Sequence, residues 1–199
     1  MSLFLDIGQG AGLAGATGIR PFLPPLLVGA LARGDLGVDF DDTDWRFLES
    51  PGFLLVIFAL AVLWYGIERS GPNRLAERAA AVIGLALGGL LFAGSLAVGG
   101  HETWPGIVAG VLCAALAWWS VGGLVARARE RLARTGGGEE PAGPATMLTA
   151  YAEVAALALA GLAILVPPVS FLALAAFVVL LVRSRGEADR KYAGLRILR

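Results

Sequence analysis

The sequence is poor in the residues that most catalytic and redox chemistry needs. Cys113 is its only cysteine, which excludes an intramolecular disulfide, a multi-cysteine metal site and a dithiol redox motif. His101 is its only histidine, so the paired histidines of a zinc-hydrolase signature cannot be assembled. Charge is scarce as well: 16% of the residues are charged, against roughly 25% in soluble domains. The sixteen basic and sixteen acidic residues cancel, so the net charge gives no footing to a nucleic acid. Met1–Asp6 lacks the basic stretch that opens a cleaved signal peptide, so the first apolar run is expected to stay as a membrane segment. No cofactor-binding motif is found.

Long apolar runs fill the rest. The chain is 57% hydrophobic with a mean hydropathy of +0.72. Crossing ~30 Å of hydrocarbon takes roughly 20 helical residues. Six runs approach that length: Leu3–Ala32, Gly52–Ile67, Ala79–Val98, Pro105–Ala126, Met147–Val166 and Pro168–Val182. The expected fold is an all-α polytopic membrane helical bundle of about six spans over residues 1–183, followed by a basic cytoplasmic tail at 184–199. Ser50-Pro51 reads as an N-cap with proline at the first helical position, and Pro167-Pro168 closes one span while opening the next.

Basic residues sort by loop. Arg69, Arg74 and Arg78 follow the second run, while Arg127, Arg129, Arg131 and Arg134 follow the fourth. Arg183, Arg185, Arg190, Lys191, Arg196 and Arg199 end the chain. These are thirteen of the sixteen basic residues, and the positive-inside rule puts them in the cytoplasm of a cell (inner) membrane protein. With six crossings both termini are cytoplasmic. The tail, mixing basic and apolar residues, is expected to rest on anionic inner-leaflet lipids.

The first run is too long for one span and is broken by Pro21 and by Pro24-Pro25. One broken crossing keeps the six-span count and is the expectation. A span followed by a re-entrant half-helix is the alternative, and it puts the N-terminus outside. Arg20 falls midway along this run, and an arginine at mid-bilayer costs ~2.5 kcal/mol or more, so it normally faces a cavity or a partner. The other possibility is an arginine nearer an interface, snorkelling to water. Thr17, Gly18 and Pro21 surround Arg20, and Glu153 in the fifth run is the expected partner, with Tyr151 and Thr149 nearby. Those residues form the candidate substrate site, because broken helices with freed carbonyls line such sites in transporters.

Glycines recur at close spacing, as at Gly8, Gly12 and Gly15, at Gly84 and Gly88, and at Gly106 and Gly110. This spacing fits close packing of helices within the bundle or between copies in a homo-oligomer. The acidic loop Asp39–Asp44 fails the EF-hand template, because Asp44 and Ser50 stand where glycine and glutamate are needed. The glycine-rich loop from Thr135 to Pro144 lacks the Lys-Ser/Thr ending of a P-loop and reads as a connection. Trp104, Trp118 and Trp119 fit interfacial anchoring.

Several segments together resemble a bacterial family of small polytopic membrane proteins described only as a domain of unknown function (family 4126). They are GATGIRPFLP at 15–24, LESP at 48–51, ERSGP at 68–72, TGG at 135–137, Glu153, and GLRIL at 194–198. The family pattern has an Asp-Lys pair in the turn after the second span. Glu68-Arg69 here keeps the signs and changes the geometry. The resemblance implies a membrane fold and no activity.

Three functions follow from these readings. The first is a small-solute transporter or channel subunit, with Arg20 attracting an anionic substrate. LAG at 13–15 and at 159–161, each followed by a proline pair, hints at an inverted repeat. The second is a non-catalytic scaffold or regulatory subunit packed through its glycines, which requires Arg20 to be locked in a salt bridge with no cavity around it. An intramembrane enzyme fits least, for want of a nucleophile and base in the spans.

Overall fold

The computed structural model describes residues 2–69, 74–135 and 142–195. The glycine-rich connection at 136–141 and the chain end at 196–199 lie outside the described residues, as do the side chains at 126, 129–146 and 185–195. The expectations of a linker there and of a lipid-binding tail therefore fall largely on undescribed ground. Among the described residues there are seven helices and no strand: α1 (Leu3–Ile19), α2 (Leu23–Ala32), α3 (Pro51–Arg69), α4 (Arg74–Val98), α5 (Trp104–Thr135), α6 (Ala142–Leu165) and α7 (Val169–Leu195). Four of them, α3 to α6, are long and apolar enough to cross a bilayer, and the stretches Leu23–Ala32 and Val169–Ser184 are apolar but shorter. This is a helical membrane bundle.

Local chemistry sets the helix ends. Ser50 Oγ accepts the Phe53 amide at 3.3 Å, capping α3, and Pro51 begins it without needing an N–H. α4 stops in a Schellman turn: the His101 amide donates to Leu96 and the Gly100 amide to Ala97, at 3.0 and 2.9 Å. Gly100 takes φ +73°, a left-handed value that a side chain resists.

α1 is the axis of the bundle. Every residue from Gly8 to Gly18 is buried, and α4, α5, α6 and α7 all pack on it. Glycine weakens an isolated helix by about 1 kcal/mol per residue, yet here it lets neighbours touch backbone. A Cβ on Gly18 would collide with the Ala114 carbonyl of α5, and one on Gly12 with Ser170 and Ala163. α3 is the opposite case: only Ile57 and Ala61 are buried, and Leu55, Val56, Phe58, Val62 and Leu63 form an outward apolar face suited to lipid.

The contacts of α1 also fix its direction. Its N-terminal half meets the far turns, with Gly8 against Pro167 and Asp6 beneath His101. Its C-terminal end meets Ala114 and, through Arg20, the last turn of α3. α2 then returns: Gly29 packs on Leu54 and Leu48, and Gly37 faces Ile164, one turn before Pro167. The first run is therefore two antiparallel helices and not a single broken crossing. The cause is local. Proline disfavours helical backbone in the residue before it, and Arg20 is extended at φ −141°, ψ 119°. Seventeen helical residues already rise about 25 Å, so α1 nearly spans the hydrocarbon by itself. Consequently the start of α1 and the end of α7 lie at opposite ends of the bundle. The last turns of α3, α5 and α7 and the first turns of α4 and α6 gather at the Arg20 end. That end is called the basic end below, and the other the far end.

Candidate functional site

At the basic end three helices converge on one guanidinium. Arg20 sits in the corner between α1 and α2, where its extended backbone aims the side chain at α3 and α6. Its Nη1 donates to Glu68 Oε1 at 2.9 Å, and its Nε lies 3.2 Å from Glu153 Oε1. Nη2 makes a long contact of 3.5 Å with the Thr149 carbonyl. The side chains of Arg20, Glu153 and Glu68 are 11%, 13% and 25% exposed. Shielding of that degree strengthens the attraction, while residual solvent keeps desolvation from cancelling it.

The pairing of Arg20 with Glu153 was legible from the sequence, but its depth was not. α1 ends at Ile19, so Arg20 lies just past the end of a helix and not midway along one. Pro21 borders the same site. Thr17 is buried one turn inward, its hydroxyl donating to the Ala14 carbonyl at 2.7 Å, and Gly18 packs on Ala114; neither lines the recess. Tyr151 is 73% exposed and takes no part, since two residues from Glu153 on a helix points to another face.

Three contributors escaped the sequence reading as site residues. Glu68 had been noted only as half of a charged turn, and Tyr65 and Trp64 lie one turn before it. All three face Arg20 because α3 runs down to the basic end beside the α1–α2 corner. The Tyr65 hydroxyl stands beside the Glu153 carboxylate. The available signal was helical spacing, since Tyr65 and Glu68 fall on one face three residues apart. Together Arg20, Pro21, Phe22, Leu23, Trp64, Tyr65 and Glu153 line a shallow recess with a volume of about 10 Å³, room for one water. Glu153 Oε2 and Trp64 Nε1 are buried beside it with no hydrogen-bond partner. One guanidinium faces two carboxylates there, so the site can accept hydrogen bonds or a positive charge.

The model of the family described as a domain of unknown function (DUF4126) matches residues 7–186, nearly the whole chain and all of this site. The chain belongs to that family. No curated protein and no solved structure gives a match. Membership agrees with the resemblance carried by the GATGIRPFLP segment, which holds Arg20, and by the Glu68 turn.

A further acidic group lies in the loop between α2 and α3. The carboxylates of Asp35, Asp39 and Asp41 lie within 4.8 Å of one another, all on exposed residues. Asp39 Oδ1 accepts the Asp41 amide at 2.8 Å, and Asp41 pairs with Arg46 at 3.1 Å. Those bonds are the internal chemistry of a solvated turn.

Proposed function

We propose that this membrane protein is a non-enzymatic small-solute transporter or channel subunit whose gate at the basic end is the Arg20–Glu68–Glu153 network. The observation that carries the reading is the recess, which opens where a shielded guanidinium bridges two helices at the corner of a reversed helix pair. Shielded charge at a helix break marks solute paths in membrane proteins. Thirteen basic residues follow the second, fourth and sixth apolar runs of the sequence, which supports a cytoplasmic location for that end and leaves the N-terminus outside.

The cargo inferred from the sequence changes. A lone Arg20 suits an anion, but two carboxylates on one guanidinium leave an excess of negative charge. A cationic or proton-bearing solute therefore fits the recess better than an anion does.

A second reading has its own support. Nε, Nη1 and Nη2 of Arg20 are all engaged, and the recess is small, as expected of a structural tie in a scaffold subunit. Flux from lipid vesicles separates the two. Vesicles holding the full chain are loaded with potassium, chloride or phosphate salts, and ion release is followed. The transport reading expects cation flux that falls in Glu153→Gln, which removes a carboxylate, and changes in Arg20→Ala, which removes the lock between the carboxylates. Flux absent for every ion, or identical in both variants, overturns it and leaves the scaffold.

A further inference from the structure

α1 has a second polar end, 14 residues before Arg20 in the chain. Asp6 lies in its first turn, fully buried, and neither carboxylate oxygen has a hydrogen-bond partner. The helix dipole favours an anion there by only about 0.3–1 kcal/mol. Burying a bare carboxylate costs several kcal/mol, so the dipole alone does not hold it. The charge needs a neutralising partner.

The neighbours narrow the choice. Gln9, one turn on, is 3% exposed and neutral, and its Nε2 is unpartnered too. The Ser95 hydroxyl donates to the backbone carbonyl of Asp6 at 2.9 Å and lies 3.4 Å from Gln9 Oε1, which leaves the carboxylate untouched. His101 Nε2 stands 3.4 Å from Asp6 Oδ2 and is likewise without a hydrogen-bond partner. The His101 side chain is 33% exposed, so one ring reaches both the buried oxygen and water.

The Schellman turn makes the arrangement a built one. Gly100, at positive φ, folds the chain back so that His101 lies over α1. Gly99 has no room for a side chain, because its Cβ would strike Asp6 Oδ2. Other ionisable groups on the elements packed here are few. Glu102 is exposed beside His101, and the carboxylate of Glu49 accepts the Phe40 amide at 3.4 Å. α5 brings Thr103 and Trp104, and the α6–α7 turn brings Pro167, Ser170 and Phe171, none of them charged.

We propose that Asp6 and His101 form a proton-binding site open to the far aqueous phase, in which one proton taken from water is shared between Oδ2 and Nε2. The proton enters through the exposed edge of His101. It forms an N–H or O–H bond and no other bond changes. With that proton the pair is neutral as a unit, which removes the cost of the buried charge. The site sits at the opposite end of α1 from the gate, so it supplies a coupling ion to the transport reading. It stands without that reading, and its test measures the proton itself.

Having one histidine makes the test direct. The full chain is labelled with nitrogen-15 histidine in lipid nanodiscs, and the single imidazole is observed by NMR between about pH 5 and 8, the range of histidine protonation. A strongly downfield N–H proton on Nε2 is expected in the wild type. It is expected to vanish in Asp6→Asn and to persist in Glu102→Gln. Persistence in a folded Asp6→Asn, or loss in Glu102→Gln, overturns the proposal. Should Asp6→Asn fail to fold, the wild type decides against Glu102→Gln alone: an imidazole with no downfield N–H at any of these pH values overturns it equally.

Discussion

The two ends of α1 handle buried charge in opposite ways. At the basic end the guanidinium meets two carboxylates and a carbonyl, and three helices are held together. At the far end a carboxylate is buried more completely, and its one charged neighbour is an imidazole whose charge is optional. The first arrangement is an ion-pair lock whose strength comes from permanent charges. In the second, the facing group is an imidazole, which carries no permanent charge. A single helix thus joins a contact between permanent charges to one between a carboxylate and an imidazole, with mostly small, buried residues between.

Removing the rod between the ends breaks the comparison most severely. Gly18 abuts the Ala114 carbonyl, and that backbone cannot swing aside as a side chain would. Over-packing commonly costs about 1–3 kcal/mol, and contact with backbone puts Gly18→Leu at or above the top of that range. The expected outcome is loss of the monodisperse, helical species in detergent, read by gel filtration and circular dichroism. Gly122→Leu, at a glycine with nothing near its Cβ direction, is expected to behave as wild type.

A smaller effect comes from unlocking one end alone. Arg20→Ala leaves Glu68 and Glu153 facing each other without a counter-charge. Breaking a buried pair costs about 3–5 kcal/mol, and the 25% exposure of Glu68 places this case near the lower figure. Asp6→Asn at the other end loses one contact, to the partly exposed imidazole of His101, so its cost is expected to be smaller, about 1 kcal/mol. Thermal melts of the two variants test the contrast directly. Equal losses would mean that the far end is as firmly tied as the basic end.

Much of this architecture was legible in the chain, and the misses share one cause. Apolar length gave helices α3 to α7 within a few residues in their membrane portions, and the proline steps marked most boundaries. Arg20 and Glu153 stood out because charge inside an apolar run is costly wherever it occurs. The reversal of the chain at Arg20 was harder to read. Pro21 signals only that the helix stops; whether the next helix continues or turns back depends on Gly29, Gly37 and their partners some distance away. The depth of Arg20, the place of the N-terminus and the involvement of Glu68 all follow from that one turn. Asp6 and His101 were visible as residues but not as a pair, since a contact across the bundle has no local spacing to betray it.

Glu49 gives the finest test of how the far end manages a carboxylate. It lies in the 3-10 turn Arg46–Glu49 before α3, outside the membrane-spanning segments, and it is 7% exposed. Burial pushes its carboxyl above the usual glutamate range. The Phe40 amide pulls the other way, and the nearby Asp41 carboxylate adds to the rise. A carboxyl raised on folding binds its proton more tightly in the folded state. Its contribution is therefore greatest below the ordinary value of 4.5 and is lost as the pH climbs through the raised one. Glu49→Gln imitates the protonated form, so it should flatten the pH dependence of the melting temperature just above pH 4.5 and raise stability near neutrality slightly. A melting curve at neutral pH that falls in Glu49→Gln would show that the Phe40 amide outweighs burial. Asp6, without such an amide, would then be left as the carboxylate of this end whose charge most needs a shared proton.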